Sequence, residues 1–117
     1  MTVADGFFEQ RQEEIDTVAR IIGSHYGFKT NELLAPEVVI RNIARHHARQ
    51  MALYLAARLV WYPRVGLGRR FNMDHTRVLH SLRKVEARAK TDADFGAVLG
   101  AWEVIIHEAF DRLAHRA

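Results

Sequence analysis

The chain has 117 residues, 49% of them apolar and 26% charged, which is the composition of one folded domain and excludes a fibrous repeat or a disordered tail. It has no cysteine, so disulfides, thiolate metal sites and a cysteine nucleophile are excluded together, and its longest apolar run, Met51 to Ala57, falls far short of the roughly 20 residues that cross a bilayer. The net charge of +3 is unevenly spread: residues 1–40 carry −4, residues 41–90 carry +10 and residues 91–117 carry −3.

Phe8, Ile15, Ala19, Ile22 and Tyr26 recur on one helical face with Val18 beside them, which predicts a helix over Phe7 to Tyr26 that Gly27 stops. Thr30 to Ala35 reads as a short helix, capped by Thr30 or Asn31 and ended by Pro36. Ile43, Met51, Tyr54, Leu55 and Leu59 line a helix from about Ile40 to Trp61, on which Ala44, Ala48 and Ala52 leave room for close packing. Pro63 breaks it, and Gly66 and Gly68 punctuate a short element ending near Arg70. Asn72 and Asp74 are both good cap residues. From His75 to Lys90, Val78, Leu82, Val85 and Ala89 share one face, with Leu79 at its edge. Asp92 caps a final helix in which Phe95, Leu99, Trp102, Ile106, Ala109 and Leu113 form a stripe, widened by Val98, Ile105 and Phe110. No segment alternates with the period of a strand. The expectation is an all-α fold, one domain over residues 1–117.

Chemistry is harder to place. A metal site needs convergent ligands, but His46 and His47 are adjacent and point apart, and His75 and His80 are five apart and do not stack on one helical face. The Gly66-Leu67-Gly68 pair runs into Arg69-Arg70, without the Gly-Lys-Ser/Thr ending of a phosphate loop. Nothing marks one carboxylate over another as an acid or base. The expectation is no enzyme, no metal, no cofactor and no nucleotide. The amino terminus has no basic segment followed by an apolar stretch, so a cytoplasmic protein without membrane contact is expected.

The basic middle segment is more informative. Ten of its twelve cations are arginine, the better fork for phosphate, and so concentrated an excess points to a polyanion. A solvated basic face is the bland alternative. A helix that enters the major groove buries one face and offers its first turn to base edges. The helix after Asp74 divides that way. Val78, Leu82 and Val85 anchor it, while Asp74, His75, Thr76 and Arg77 crowd its first turn, with His80, Ser81 and Lys84 further along. Asp74 can accept from a cytosine amino group, Thr76 can touch a thymine methyl, His75 can donate to a base edge or phosphate, and Arg77 can reach a phosphate or guanine. Capping alone would also account for Asp74. Arg49 and Gln50, near the start of the central helix, suit a phosphate contact.

The run Asp74-His75-Thr76-Arg77-Val78-Leu79-His80-Ser81-Leu82-Arg83-Lys84-Val85 resembles the signature of the carboxy-terminal DNA-binding domain of the bacterial replication initiator DnaA, roughly D-H-T-T-V-L-H-A-x-R-K-I. Arg49-Gln50-Met51-Ala52-Leu53-Tyr54-Leu55-Ala56 is similar to the family's R-Q-x-A-M-Y-L-A helix. Val18 to Leu34, with His25-Tyr26-Gly27 and Asn31-Glu32-Leu33-Leu34, resembles its first helix and the short element after it. The resemblance covers about residues 14–90, in order and spacing.

It implies a helix-turn-helix bundle of the Trp-repressor type on double-stranded DNA at a box like the initiator's. The positions of Asp74, His75 and Thr76 would read bases. Arg77 stands where the family usually has threonine near phosphate, and His80 and Lys84 match positions close to the backbone. Three departures stand out. The family's R-P-R-Q becomes His47-Ala48-Arg49-Gln50, so the minor-groove contact of its first arginine would pass to His47, Arg45 or Arg41. F-G-G-R-D becomes Phe71-Asn72-Met73-Asp74, one residue shorter and without arginine, and the interval from Pro63 to Asp74 is one residue longer. Initiators carry an AAA+ ATPase domain ahead of this module and little precedes it here, so a stand-alone DNA-binding regulator of transcription or replication is expected. Residues 91–117 would be an added acidic helix, packed on the domain or pairing two copies as a homodimer. The alternative function is an interaction module whose basic face binds an acidic protein.

Overall fold

The computed structural model describes residues 3–36 and 42–115. Among them the chain forms six helices and no strand: α1 (Val3–Tyr26), α2 (Thr30–Leu34), α3 (Ile43–Leu59), α4 (Arg64–Arg70), α5 (His75–Thr91) and α6 (Ala93–Ala114). The all-α expectation is met.

Helix α3 is the centre of the bundle, buried from Ala48 to Ala56 except at Tyr54, which is half-buried. A helix sheathed on every side needs apolar or small residues all round, and the alanines at 48, 52 and 56 supply the small ones. The first helix packs chiefly on it, through Ile15, Val18, Ala19 and Ile22, all fully buried. Gly27 ends α1 with φ at +84°, a left-handed position where a Cβ would be strained.

Local details depart from the sequence expectation at three element ends. Lys29 occupies the N-cap position of α2, ahead of Thr30 and Asn31, because Glu32 reaches back and accepts from the Lys29 backbone N–H at 2.9 Å. Helix α3 begins at Ile43 rather than Ile40, after Asn42, whose side chain accepts from the Arg45 N–H at 3.0 Å; Ile40 and Arg41 themselves lie outside the described residues. At its other end α3 stops at Leu59, since Val60 is already extended ahead of Pro63. Ile43, at the tip of α3, is 69% exposed and takes no part in the core.

Helices α4 and α5 form the helix-turn-helix. Phe71 closes α4 and is fully buried. Asn72 then turns left-handed, with φ at 55°, and Met73 N–H donates to the Gly68 carbonyl at 2.8 Å. That approach explains Gly68, since a Cβ there would sit 2.6 Å from the Met73 oxygen. Helix α6 crosses α5, α3 and α1 and buries Phe95, Leu99, Ile106 and Ala109, so its main stripe packs on the rest of the chain. Val98 and Ile105, expected to widen that stripe, are instead 42% and 43% exposed. They lie one position short of Leu99 and Ile106, which turns them about 100° off the buried line.

Candidate nucleic-acid interface

The first turn of α5 is built by Asp74. Its carboxylate accepts from the Arg77 backbone N–H at 2.8 Å, satisfying one of the orphan donors of the helix start. With Val78 fully buried against the core, the turn is held in place while Asp74, His75, Thr76 and Arg77 all remain exposed. His80 and Lys84 are exposed further along the same helix. Positions 77, 80, 84 and 88 are three or four apart and so align on one side, which adds Arg88 to the stripe. Sequence reading did not single out Arg88, although its spacing from Lys84 was the available signal.

Arg88 does not hang loose. Its guanidinium stacks over the Phe95 ring at 3.9 Å from the centroid and lies 4.0 Å from the Asp92 carboxylate. Beside it, His47, Gln50, Met51, Lys84, Val85, Arg88 and Phe95 line a shallow recess of about 140 Å³. It adjoins a wider space of about 470 Å³ that shares His47, Met51, Arg88 and Phe95, and Lys84 and Arg88 bring two cations to its lining. His47 is exposed, yet partial desolvation of its ring, followed by the charges of His46, Arg88 and Lys84, holds its imidazole below the ordinary range.

Other residues of the expected site are used differently. Arg49 is only 1% exposed. Its Nε donates to the Leu33 carbonyl at 3.0 Å and its Nη2 to the Phe71 carbonyl, so it ties α2 to the end of α4. In this structure the Arg49 guanidinium, expected on phosphate, is buried on two carbonyls and braces the fold from within. Gln50 is 8% exposed and lines the recess. Arg45 is half-buried and donates to the carbonyls of Glu32 at 2.8 Å, Ala35 at 2.9 Å and Pro36 at 3.4 Å. Its guanidinium closes the carbonyl end of α2 and is not extended toward a groove. Arg41 lies outside the described residues.

Two more cations of the basic segment are engaged within the fold. Arg58 pairs with Glu103 of α6, and Arg70 makes a two-pronged contact with Asp16 of α1, one arm at 2.7 Å. Asn72 Nδ2 donates to the Leu34 carbonyl at 2.6 Å, so the turn before the exposed helix is tied to α2 from both sides. Among the described residues no three His, Asp or Glu side chains gather as metal ligands, and no helix is long and apolar enough to cross a membrane.

The sequence matches known proteins. The sequence model of the family described as the bacterial DnaA protein helix-turn-helix matches residues 15–85. The chromosomal replication initiator protein DnaA of Cereibacter sphaeroides is 36% identical over 84 residues, covering 71% of this chain and 18% of its own length. That of Caulobacter vibrioides is 36% identical over 85 residues, covering 72% and 17%, and that of Agrobacterium fabrum 32% identical over 107 residues, covering 88% and 21%. The chain thus spans about a fifth of the length of these relatives. Helix α6 lies beyond the end of the family match.

Proposed function

The chain belongs to the bacterial DnaA helix-turn-helix family, and from that membership we propose that it binds duplex DNA at specific sites and regulates transcription or replication there. The observation that carries the reading is the exposed, capped first turn of α5 continuing into the stripe Arg77, His80, Lys84 and Arg88. Base readout belongs to Asp74, His75 and Thr76, whose side chains offer an acceptor, a donor and a methyl at the place where a recognition helix meets base edges. Phosphate contacts belong to Arg77, His80, Lys84, Arg88 and His47, a cationic track of the kind that sets position and general affinity. Arg45, Arg49 and Gln50 support the reading helix from behind. No cofactor, nucleotide or reacting group enters this account, which describes a binding protein and not an enzyme.

The test is selection of bound sequences from a random duplex pool, followed by gel-shift titration of the enriched site against a scrambled duplex. The expected result is a shared motif with a clear preference over the scramble. Equal affinity for both duplexes would overturn site recognition, and failure to bind either would favour an acidic protein as the partner of the basic face.

A further inference from the structure

The exposed side of α6 has no ordinary explanation in a monomer. Between Asp94 and His107 its exposed positions are Ala97, Val98, Gly100, Ala101, Val104 and Ile105, none of them polar. A helix on the surface of a soluble domain normally turns charge outward. Here Val104 is 60% exposed, Ile105 43% and Val98 42%. The charges stand at the two ends of the face: Asp94 in the first turn, Glu108 and Arg112 near the last.

We propose that α6 pairs with α6 of a second copy in antiparallel orientation, making the protein a homodimer. Asp94, Val98, Ala101, Ile105, Glu108 and Arg112 are spaced alternately four and three apart and are all exposed, the seam of a two-helix packing. In the antiparallel register that brings Ala101 against Ile105 of the second copy, Val98 meets Glu108 and each Asp94 meets an Arg112. A parallel register would set Asp94 on Asp94, Glu108 on Glu108 and Arg112 on Arg112, so charge selects the antiparallel one. A closed two-fold pair also uses the same seam of both copies once and leaves no further copy of that seam open. The pairing rests on α6 alone and is measured without DNA, so its failure and that of the DNA reading are distinguishable.

The experiment combines mass in solution with cysteine cross-linking, which is clean because the chain has no cysteine of its own. Sedimentation of the unmodified protein over a concentration series is expected to show a monomer–dimer equilibrium. Ile105→Lys, at an exposed position that the monomer core does not use, is expected to raise the dimer dissociation constant about tenfold or more, as an unpaired charge forced into an interface does. Under oxidation the double variant Asp94→Cys with Arg112→Cys should give a covalent dimer. Either single variant should not, since the like positions of an antiparallel pair lie about 27 Å apart along the axis. A monomer at every concentration would overturn the proposal. So would a single variant that cross-links as readily as the double, because only a parallel pair allows it.

Discussion

At the scale of single residues, the arginines of this chain divide by what their guanidinium groups touch. Arg49 donates to the Leu33 and Phe71 carbonyls while almost wholly buried. Replacing it with methionine keeps the stem and leaves both carbonyls without this donor. The expected loss of stability is about 3 kcal/mol or more, since hydrogen bonds from a charged donor contribute roughly 1.5–3 kcal/mol each; thermal or urea unfolding measures it. The fraction still folded should bind duplex with an unaltered salt dependence, as a phosphate-contacting arginine would not. This role was not legible in the sequence. Arg49 stands in the same Arg-Gln string whether its side chain faces solvent or carbonyl oxygens, and the choice is made by α2 and the end of α4 meeting over it, from residues 16 and 22 positions away. His47 shows the opposite behaviour. Its imidazole is held below the ordinary range by partial desolvation and by His46, Arg88 and Lys84. In the free protein the folded state therefore resists its protonation, so stability falls as pH drops below the ordinary imidazole value and is unaffected above it. A bound phosphate would reverse the field and raise the pKa, so DNA binding should take up a proton. Affinity is expected to rise as pH falls from about 8 to about 6, where histidine titrates, and to rise less steeply in His47→Gln. Identical pH profiles for the two proteins would remove His47 from the phosphate track.

At the scale of elements, helix α5 depends on how it begins. Asp74 is at once the N-cap of α5 and an exposed acid, and the two roles separate by substitution. Asp74→Ala removes the cap and should cost about 1 kcal/mol of stability. Asp74→Asn keeps a capping oxygen and exchanges an acceptor-only group for an amide. If the carboxylate accepts from a base, Asp74→Asn should lower preference for the best site over a mismatch by about 1–3 kcal/mol, while general affinity stays equal or rises because an acid beside phosphate is gone. Competition gel shifts with matched and mismatched duplexes read both quantities, and an unchanged preference would leave Asp74 as a cap only. Much of this element was legible in the sequence. Cap residue, buried Val78 and polar first turn sit at fixed short offsets, and local spacing is enough to place them. The turn ahead of it was less so: Asn72 reads as a helix cap, yet it takes the left-handed position after α4 and donates to the Leu34 carbonyl, a partner 38 residues away. The two-sidedness of α6 was half legible, because the apolar run marks a packed face while the outer face, offset by one residue, reads as part of the same stripe.

For the whole molecule, the +10 of residues 41–90 overstates the charge available to a polyanion. Arg45 and Arg49 are bound to carbonyls, and Arg58 and Arg70 to carboxylates. Eight of the twelve cations are left by that count, and with the five groups of the proposed track, Arg77, His80, Lys84, Arg88 and His47, on phosphate the slope of log affinity against log salt is expected at roughly −4 to −5. Titrations of one duplex across a salt series measure it; a slope near zero would remove phosphate contact as the source of affinity, and one near −9 would return the braced arginines to the surface. The last feature to follow up is the joint between α5 and α6. Asp92 closes one helix and opens the next, accepting from the Phe95 N–H at 3.1 Å while its own N–H donates to the Arg88 carbonyl at 2.9 Å. The corner between the two helices is thus one residue wide and bonded on both sides, with Arg88 on Phe95 spanning it. One residue therefore sets the angle between α5 and α6, so a change at this corner reaches both helices at once.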